Sequence, residues 1–278
     1  MDCYIDIFRQ ITYVINPTEN LLFPGKGGRI ASHYKFSLKK SFEMFPSSKL
    51  IIVLEEDILT SPNFISYFNQ TSKVLAKDPS LYCINAWNDL SAMHTGGDVK
   101  IVHRTETLPA YGWMITREFF EEVYNVWFES NKNFDWDIWF RGPTVRATRE
   151  CLVPEISRSF HLGESGVHIR GQMTLAHMMG HLSTGKKDIT IENIDRLTQK
   201  EYEEDIYQTL ESDNVVFEKT MVVFFWMEST QDSSGWYRLS SCLGIFNMDT
   251  RNNHRGLFRF YFYNTRIFAI GYPFSDYR

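Results

Sequence analysis

The fold of this chain is decided by residues 50–57, which read Leu50-Ile51-Ile52-Val53-Leu54-Glu55-Glu56-Asp57. Five branched aliphatic residues in a row are typical of a strand that is buried on both faces. Three carboxylates follow at its carboxyl end, where open α/β sheets bind their ligands. Adjacent carboxylates repel one another unless a cation neutralises them, and oxygen ligands favour Mg²⁺ or Mn²⁺. The stretch therefore predicts a cation site at the end of a core strand, and a solvated acidic turn is the alternative.

Polar caps and apolar periodicities divide the rest of the chain into alternating helices and strands. The predicted helices span residues 32–45, 61–77, 117–127 and 200–211, and the predicted strands span residues 50–54, 81–86, 108–116, 215–226 and 257–270. Ser32 and Thr116 are the candidate N-caps of two helices, and Pro62 opens a third. Strands that alternate with helices favour a largely parallel sheet. The composition changes near Asn193, so we expect a smaller α+β subdomain from there onward.

The composition limits what kind of protein this is. With 278 residues, 43% of them hydrophobic, the chain can bury a large core and form one sizeable domain plus a smaller one. A net charge of −5 argues against a broad surface for nucleic acids or anionic membranes. Apolar runs such as residues 221–227 are far shorter than the roughly 20 residues that a membrane-spanning helix needs. We therefore expect a globular protein that binds any charged ligand locally.

Six segments resemble one enzyme family in their order and spacing. They are residues 31–35, 53–57, 81–89, 112–114, 135–139 and 151–158. Together they resemble the β-1,2-N-acetylglucosaminyltransferases that extend mannose in the secretory pathway, and the resemblance covers most of residues 29–278. It implies an α/β, GT-A type (Rossmann-like) nucleotide-sugar glycosyltransferase core over residues 1–192. A smaller C-terminal α+β subdomain would occupy residues 193–278.

The resemblance also implies a reaction and a set of site residues. The family transfers N-acetylglucosamine from UDP-GlcNAc to the 2-hydroxyl of mannose with inversion. Asp57 matches the residue that binds Mn²⁺, and Glu55 and Glu56 match acids that line the donor site. His33 matches a histidine that contacts uridine. Asp137 matches the catalytic base, and a positioned base is what a single inverting displacement requires.

Asp137 has a rival within its own motif. Asp135 precedes it by two residues, and side chains at that spacing on a helix point in different directions. We expect only one of them to face the cleft and favour Asp137, which Trp136 and Trp139 would shield from water. The alternative is that both acids are placed at a helix N-terminus, where the helix dipole stabilises them.

Further parts of the site are expected at two loops. Residues 163–166 resemble the family's mobile loop that orders over the donor, and glycines at both ends would permit that motion. Trp87, Asn88 and Asp89 follow the predicted strand 81–86 and are cleft candidates by position, although Trp87 also suits the core.

The cysteines bear on the compartment. By resemblance, Cys83 and Cys151 are expected to form a disulfide, which requires an oxidising lumen. The residues alone leave open that both are simply small buried hydrophobic side chains. The family implies a Golgi enzyme held in the membrane by an N-terminal anchor and stem. We find no counterpart of the anchor, the stem or the first βα unit in this sequence, and therefore expect it to be N-terminally incomplete.

Two branches of the family differ in their acceptor. The form of residues 135–139, together with residues 242–243 and 253–257, favours the branch of the family that acts on O-linked mannose of glycoproteins. The branch that acts on N-glycans is the nearest alternative. A non-catalytic lectin-like protein of the lumen and a metal-dependent hydrolase are alternatives from other classes. The retained acids argue against the first, and the absence of a His-rich two-metal set argues against the second.

Overall fold

The computed structural model of the protein describes residues 11–17, 25–106, 110–128, 134–162, 180–211 and 220–278. The strands in these ranges are β1 (Leu50–Val53), β2 (Ile58–Thr60), β3 (Leu81–Asn85), β4 (Val102–Thr105), β5 (Trp113–Thr116), β6 (Glu150–Pro154), β7 (Ser159–His161), β8 (Thr220–Met227), β9 (Leu257–Phe262) and β10 (Thr265–Pro273). The helices are α1 (Lys26–Met44), α2 (Phe64–Leu75), α3 (Arg117–Tyr124), α4 (Trp136–Phe140), α5 (Pro143–Arg146), α6 (Gln199–Glu211) and α7 (Ser234–Leu243). None of the helices in these ranges combines the length and apolarity needed to cross a membrane.

The main sheet is mixed, which corrects the prediction of a largely parallel one. Its five strands lie in the order β1-β5-β3-β6-β4, and among these described strands only β3 and β6 pair in parallel. A parallel pair needs a long crossover, usually a helix. Residues 86–101, which leave β3, form no helix, so the chain returns as β4 and β5 running against their neighbours. The helix-strand alternation predicted β1, β3 and β5 as strands but missed β4 and β6, and β5 runs antiparallel to both of its neighbours.

Strand β1 lies at an edge of this sheet, with β5 as its partner among the described strands. All four of its residues are half-buried, so the prediction of a strand that is fully buried on both faces is wrong. Leu54, the last of the five aliphatic residues, lies beyond the strand and is exposed. The three carboxylates nevertheless follow the strand as predicted, at its carboxyl end.

The disulfide between Cys83 and Cys151 is present. The two residues are paired neighbours on the parallel strands β3 and β6, with Cα atoms 4.6 Å apart, inside the range that a disulfide requires. Both side chains are fully buried, so the two expectations for them are met together. Among the described residues Cys242 is a free, exposed cysteine.

Helix boundaries show where local signals were sufficient. The predicted cap of α3 is confirmed, because Thr116 Oγ1 accepts a hydrogen bond from the Phe119 backbone nitrogen at 3.1 Å. The predicted start of α1 is wrong: the helix begins at Lys26 after extended Gly25, and Ser32 lies inside it. Helix α1 has no side-chain cap, so its first turn leaves no capping signature in the sequence.

The C-terminal segment, residues 193–278, forms a second sheet that packs against the first. Its strands lie in the order β8-β10-β9, and the predicted run 257–270 is a hairpin that turns at Tyr263 and Asn264, both with positive φ. Leu257, Phe268 and Ile270 share one apolar cluster with residues of the main sheet. The C-terminal segment is therefore continuous with the core, and the predicted boundary at residues 192–193 stays a prediction.

A buried ionic network joins the two sheets. Arg104 on β4 donates from Nε to Glu150 Oε2 at 2.6 Å and from Nη1 to Asp78 Oδ2 at 2.8 Å. His254, before β9, contacts Glu150 Oε1 through Nδ1 and the Tyr277 hydroxyl through Nε2, the latter at 2.9 Å. Burial alone would raise the pKa of Glu150, but His254 and Arg104 lower it to about 2.

We predict that Glu150→Gln lowers the free energy of unfolding by about 3–5 kcal/mol at pH 7, because Arg104 and His254 lose a buried charged partner. In the wild type the stabilisation is present above the ordinary carboxyl pKa of 4.5 and is lost as the pH falls toward 2. Urea denaturation at pH 7 and pH 3 measures both effects, and the difference between the two proteins should shrink at pH 3.

The control is Glu192→Gln, which removes an exposed ion pair with Lys100 and should lower the free energy of unfolding far less than Glu150→Gln does. Equal stability of Glu150→Gln and the wild type at pH 7 would show that the network does not hold the sheets together.

Candidate active site

The acids after β1 and the acid on α4 lie close enough to influence one another. Glu55 is partly buried and accepts a hydrogen bond from the Tyr34 hydroxyl of α1. Burial raises the pKa of Glu55, and the negative charges of Asp57, Glu56 and Asp137 raise it further. Residues from three separate parts of the chain therefore meet at the carboxyl end of β1.

An aromatic stack holds these parts together. The Tyr34 ring lies on Trp136, the first residue of α4, with centroids 3.9 Å apart and planes 21° apart. Trp136 in turn stacks on Trp113 of β5, at 5.5 Å and 18°. Because Trp113 pairs with Val53, the last residue of β1, the stack fixes the start of α4 against the end of that strand. Asp137, next to Trp136, is thereby brought to the strand-end acids.

Asp57, the candidate metal ligand, is partly exposed and has a specific partner. Its side chain is 37% exposed, and Oδ2 lies 3.2 Å from Nε2 of His161 on β7. The pairing of β2 with β7 produces this contact, because Ile58 and His161 are paired neighbours. Sequence analysis missed His161, although it follows the recognisable segment 151–158 by only three residues.

The carboxylates after β1 are the candidate ligands of a divalent cation, which prefers oxygen ligands. In the described ranges no three histidine, cysteine or acidic side chains converge on one point as a complete metal cage. Mg²⁺-like ions commonly use one or two carboxylates together with water and substrate phosphates. A partly exposed carboxylate such as Asp57 fits an ion of that kind, which arrives with a phosphorylated ligand.

The two acids of α4 occupy different positions. Asp135 is the extended N-cap residue, and Asp137 lies in the first turn, as the dipole interpretation also requires. Asp137 Oδ2 is 3.3 Å from Arg141 Nη2, an ion pair one helical turn on. Trp139 packs against Trp127 at 5.0 Å, whereas Trp136 faces the stack described above. The choice of Asp137 as base stays a prediction.

His33 and Glu56 lie on exposed surfaces. His33 Nε2 is 3.4 Å from Ser37 Oγ on the same helix, and within the described ranges no hydrogen bond or ion pair joins His33 to the acids. The neighbouring residue, Tyr34, is the one that reaches the site. Residues 163–166, expected as the donor loop, lie outside the described residues.

The residues after β3 are buried and bonded to one another and to the end of β6. Trp87, Asn88 and Asp89 are all buried, which matches the core interpretation of Trp87. Trp87 Nε1 donates to Asp89 Oδ1 at 3.0 Å, and Asn88 Nδ2 donates to the Pro154 and Glu155 carbonyl oxygens.

Tyr111 is a site residue that the sequence did not reveal. Its φ of +56° places a bulky side chain in the left-handed region, a rare and strained conformation of the kind that clusters at active sites. The ring lies 4.8 Å from Trp87 and 5.2 Å from His161. Burial raises its pKa to about 12, and charges on Arg251, Asp89, Asp137 and Glu55 all act on its hydroxyl. Tyr111 therefore lies within electrostatic range of Glu55 after β1 and of Asp137 on α4.

A mixed α/β core with acids gathered at strand ends is consistent with an α/β glycosyltransferase. Residues 7–269 match the GNT-I family, and the chain belongs to that family. Over 138 residues it is 29% identical to the alpha-1,3-mannosyl-glycoprotein 2-beta-N-acetylglucosaminyltransferase of Arabidopsis thaliana. The matched segment is 50% of this chain and 30% of that relative, so the chain spans under a third of the relative's length.

Proposed function

We propose that the protein transfers N-acetylglucosamine from UDP-GlcNAc to the 2-hydroxyl of a terminal mannose, on a GT-A type core. The observation that carries this proposal is the meeting of Glu55, Asp57 and Asp137 at one strand end in a member of the GNT-I family. Inversion in one displacement needs a base on the acceptor hydroxyl and charge compensation on the leaving diphosphate. The two groups of acids divide between these tasks.

Asp57 would hold Mn²⁺, because its carboxylate is accessible to solvent and is also held in place by a contact with His161. When bound, the ion supplies charge neutralisation for the departing diphosphate. Glu55, held by Tyr34, would orient the donor, and His33 and Glu56 would contact it at the outer rim. Asp137 would take the proton of the acceptor hydroxyl.

The first candidate for the acceptor is a mannose of an N-glycan. The support is the relative from Arabidopsis thaliana, whose name specifies alpha-1,3-mannosyl-glycoprotein. O-linked mannose, favoured by the form of residues 135–139, is the second candidate. Both are glycoprotein acceptors of the secretory pathway. A Golgi lumen setting accords with the buried disulfide between Cys83 and Cys151, which an oxidising compartment permits.

The experiment that tests the function is a transfer assay with UDP-GlcNAc, Mn²⁺ and two acceptors, a mannose-terminated N-glycan and an α-mannosyl-threonine peptide. We expect β-1,2-linked product and faster transfer to the N-glycan. Faster transfer to the peptide would reverse the acceptor choice. Donor hydrolysis that neither acceptor suppresses would indicate a hydrolase, and acceptor binding with no turnover would indicate a lectin-like protein.

We predict that Asp57→Ala abolishes Mn²⁺-dependent binding of UDP while the melting temperature changes little, because this half-exposed strand-end acid contributes little to packing. Isothermal calorimetry with Mn²⁺ and UDP measures the loss. Glu118→Ala, which removes an exposed acid at the start of α3, is the matched control and should bind as the wild type does. Unchanged affinity in Asp57→Ala would remove Asp57 from the set of metal ligands.

We predict that Asp137→Asn keeps donor binding and lowers kcat roughly 10²- to 10⁴-fold, because the amide keeps the shape of the side chain but cannot take a proton. Asp135→Asn should be milder, since Asp135 lies at the N-cap rather than in the first turn. Steady-state kinetics of both variants at saturating donor provide the measurement. A larger loss in Asp135→Asn, with both variants folded, would transfer the role of base to Asp135.

A further inference from the structure

A series of alternating charges connects Asp137 to the C-terminal segment. Arg141, directly after α4, uses the two ends of its guanidinium on two acids. Nη2 lies 3.3 Å from Asp137 Oδ2, and Nη1 donates to Asp249 Oδ2 at 3.3 Å. A planar guanidinium that contacts two carboxylates has little freedom to rotate. Arg141 therefore ties the α4 acid to a residue 108 positions further along the chain.

Asp249 is itself held in place from the other side. Its Oδ1 lies 3.0 Å from Arg251 Nε and accepts a 2.8 Å hydrogen bond from the Arg251 backbone nitrogen. Arg251 also faces Asp89, with Nη1 3.8 Å from Oδ1, and lies 4.3 Å from the centre of the Phe246 ring. Burial alone would lower the pKa of Arg251, but Asp89 and Asp249 hold it above its ordinary value. The far end of the series is thus a partly buried, charged arginine.

Asp137 has one side fixed and one side open. Its Oδ2 faces Arg141, whereas Oδ1 accepts no hydrogen bond from the part of the chain that the structure describes. Glu55 at the end of β1, the Tyr34 hydroxyl on α1 and the Tyr111 hydroxyl before β5 face Asp137 from the neighbouring elements. Among the ion pairs of the described residues, Arg141 is the cation that contacts Asp137.

We propose that Arg141 is the positioning residue of Asp137, and that Asp249, fixed by Arg251, sets the orientation of Arg141. The inference rests on the proposed function, in which Asp137 is the base. Arg141 holds Oδ2 and offsets the repulsion from Glu55, so that Oδ1 is presented to the acceptor hydroxyl. Through the contact of Asp249 with Arg141, the C-terminal segment acts on the geometry of the active site indirectly, without binding the substrate there.

The kinetic test compares Arg141→Ala, Arg141→Lys and Asp249→Asn with the wild type. We expect Arg141→Ala to lower kcat roughly tenfold to a hundredfold, the scale of a misplaced catalytic group. The calorimetric affinity for UDP with Mn²⁺ should stay within about twofold, because Arg141 contacts none of the strand-end acids. Asp249→Asn should cause a smaller loss of kcat, and Arg141→Lys should recover part of the activity that alanine loses.

Two further measurements separate positioning from general stability. Arg149→Ala removes an arginine of an exposed ion pair with Glu122, and it should leave kcat unchanged. Added guanidinium ion should partly restore Arg141→Ala. In the Asp137→Asn background, Arg141→Ala should cause little further loss. Unchanged kcat in folded Arg141→Ala and Asp249→Asn, or a loss confined to donor affinity, would overturn the proposal.

A crystal structure of Arg141→Ala, or of Asp249→Asn if the alanine variant does not fold, tests the geometry without any turnover. We expect the Asp137 carboxylate to rotate away from its wild-type orientation. An unmoved carboxylate would overturn the positioning role, whatever the activity. A wild type that transfers to neither acceptor would instead refute the proposed function, and the crystallographic result would still decide whether Arg141 positions Asp137.

Discussion

The contact on which the site depends is the one that Tyr34 makes with Glu55 and Trp136. A single side chain of α1 donates its hydroxyl to the acid after β1 and stacks its ring on the first residue of α4. Stacked aromatic pairs contribute about 0.5–1.5 kcal/mol beyond the area that they bury, and a buried carboxylate left unpaired costs about 1–3 kcal/mol or more. Because one residue makes both contacts, the separation between the strand-end acids and Asp137 is set by the dimensions of a tyrosine.

This arrangement concentrates negative charge, and burial decides how the charge is distributed. Glu55 is the acid whose pKa is raised, first by burial and then by Asp57, Glu56 and Asp137. Glu55 also accepts the hydrogen bond of the Tyr34 hydroxyl. Burial and the charge of Glu55 raise the pKa of Tyr34 in turn. The cluster has a nitrogen-bearing partner on each side: the imidazole of His161 lies beside Asp57, and the guanidinium of Arg141 lies beside Asp137. A site with one basic partner on each side and acids between suits a ligand that brings its own cation.

The features that the sequence predicted correctly are local ones. The cap of α3 depends on two residues three positions apart, and the strand-end acids depend on one continuous run. The disulfide followed from a resemblance to a family. Strand direction was predicted wrongly, because it depends on whether a crossover can form, and β4 and β6 were not among the predicted strands.

Contacts between distant segments had no sequence signal. Arg141 and Asp249 are 108 positions apart, and nothing near either residue marks the other. Tyr111 was missed for a different reason, because its importance lies in a backbone conformation that is typical of glycine and that residue identity does not show. The role of His33 followed from a resemblance to a histidine that contacts uridine, and it stays a prediction. The contact of its neighbour Tyr34 with Glu55 was not predicted, because one position along a helix turns a side chain to another face.

The rigidity of the proposed base can be followed back to the core through the C-terminal segment. His254 lies five residues after Asp249, and its contact with Glu150 anchors that stretch to β6. Glu150 precedes Cys151, which the disulfide joins to β3. Five residues of chain reach at most about 17 Å, so Asp249 stays within that distance of His254, and its contacts with Arg251 fix it further. The orientation of Arg141, and through it that of Asp137, therefore depends on an ion pair and a covalent bond in the middle of the main sheet.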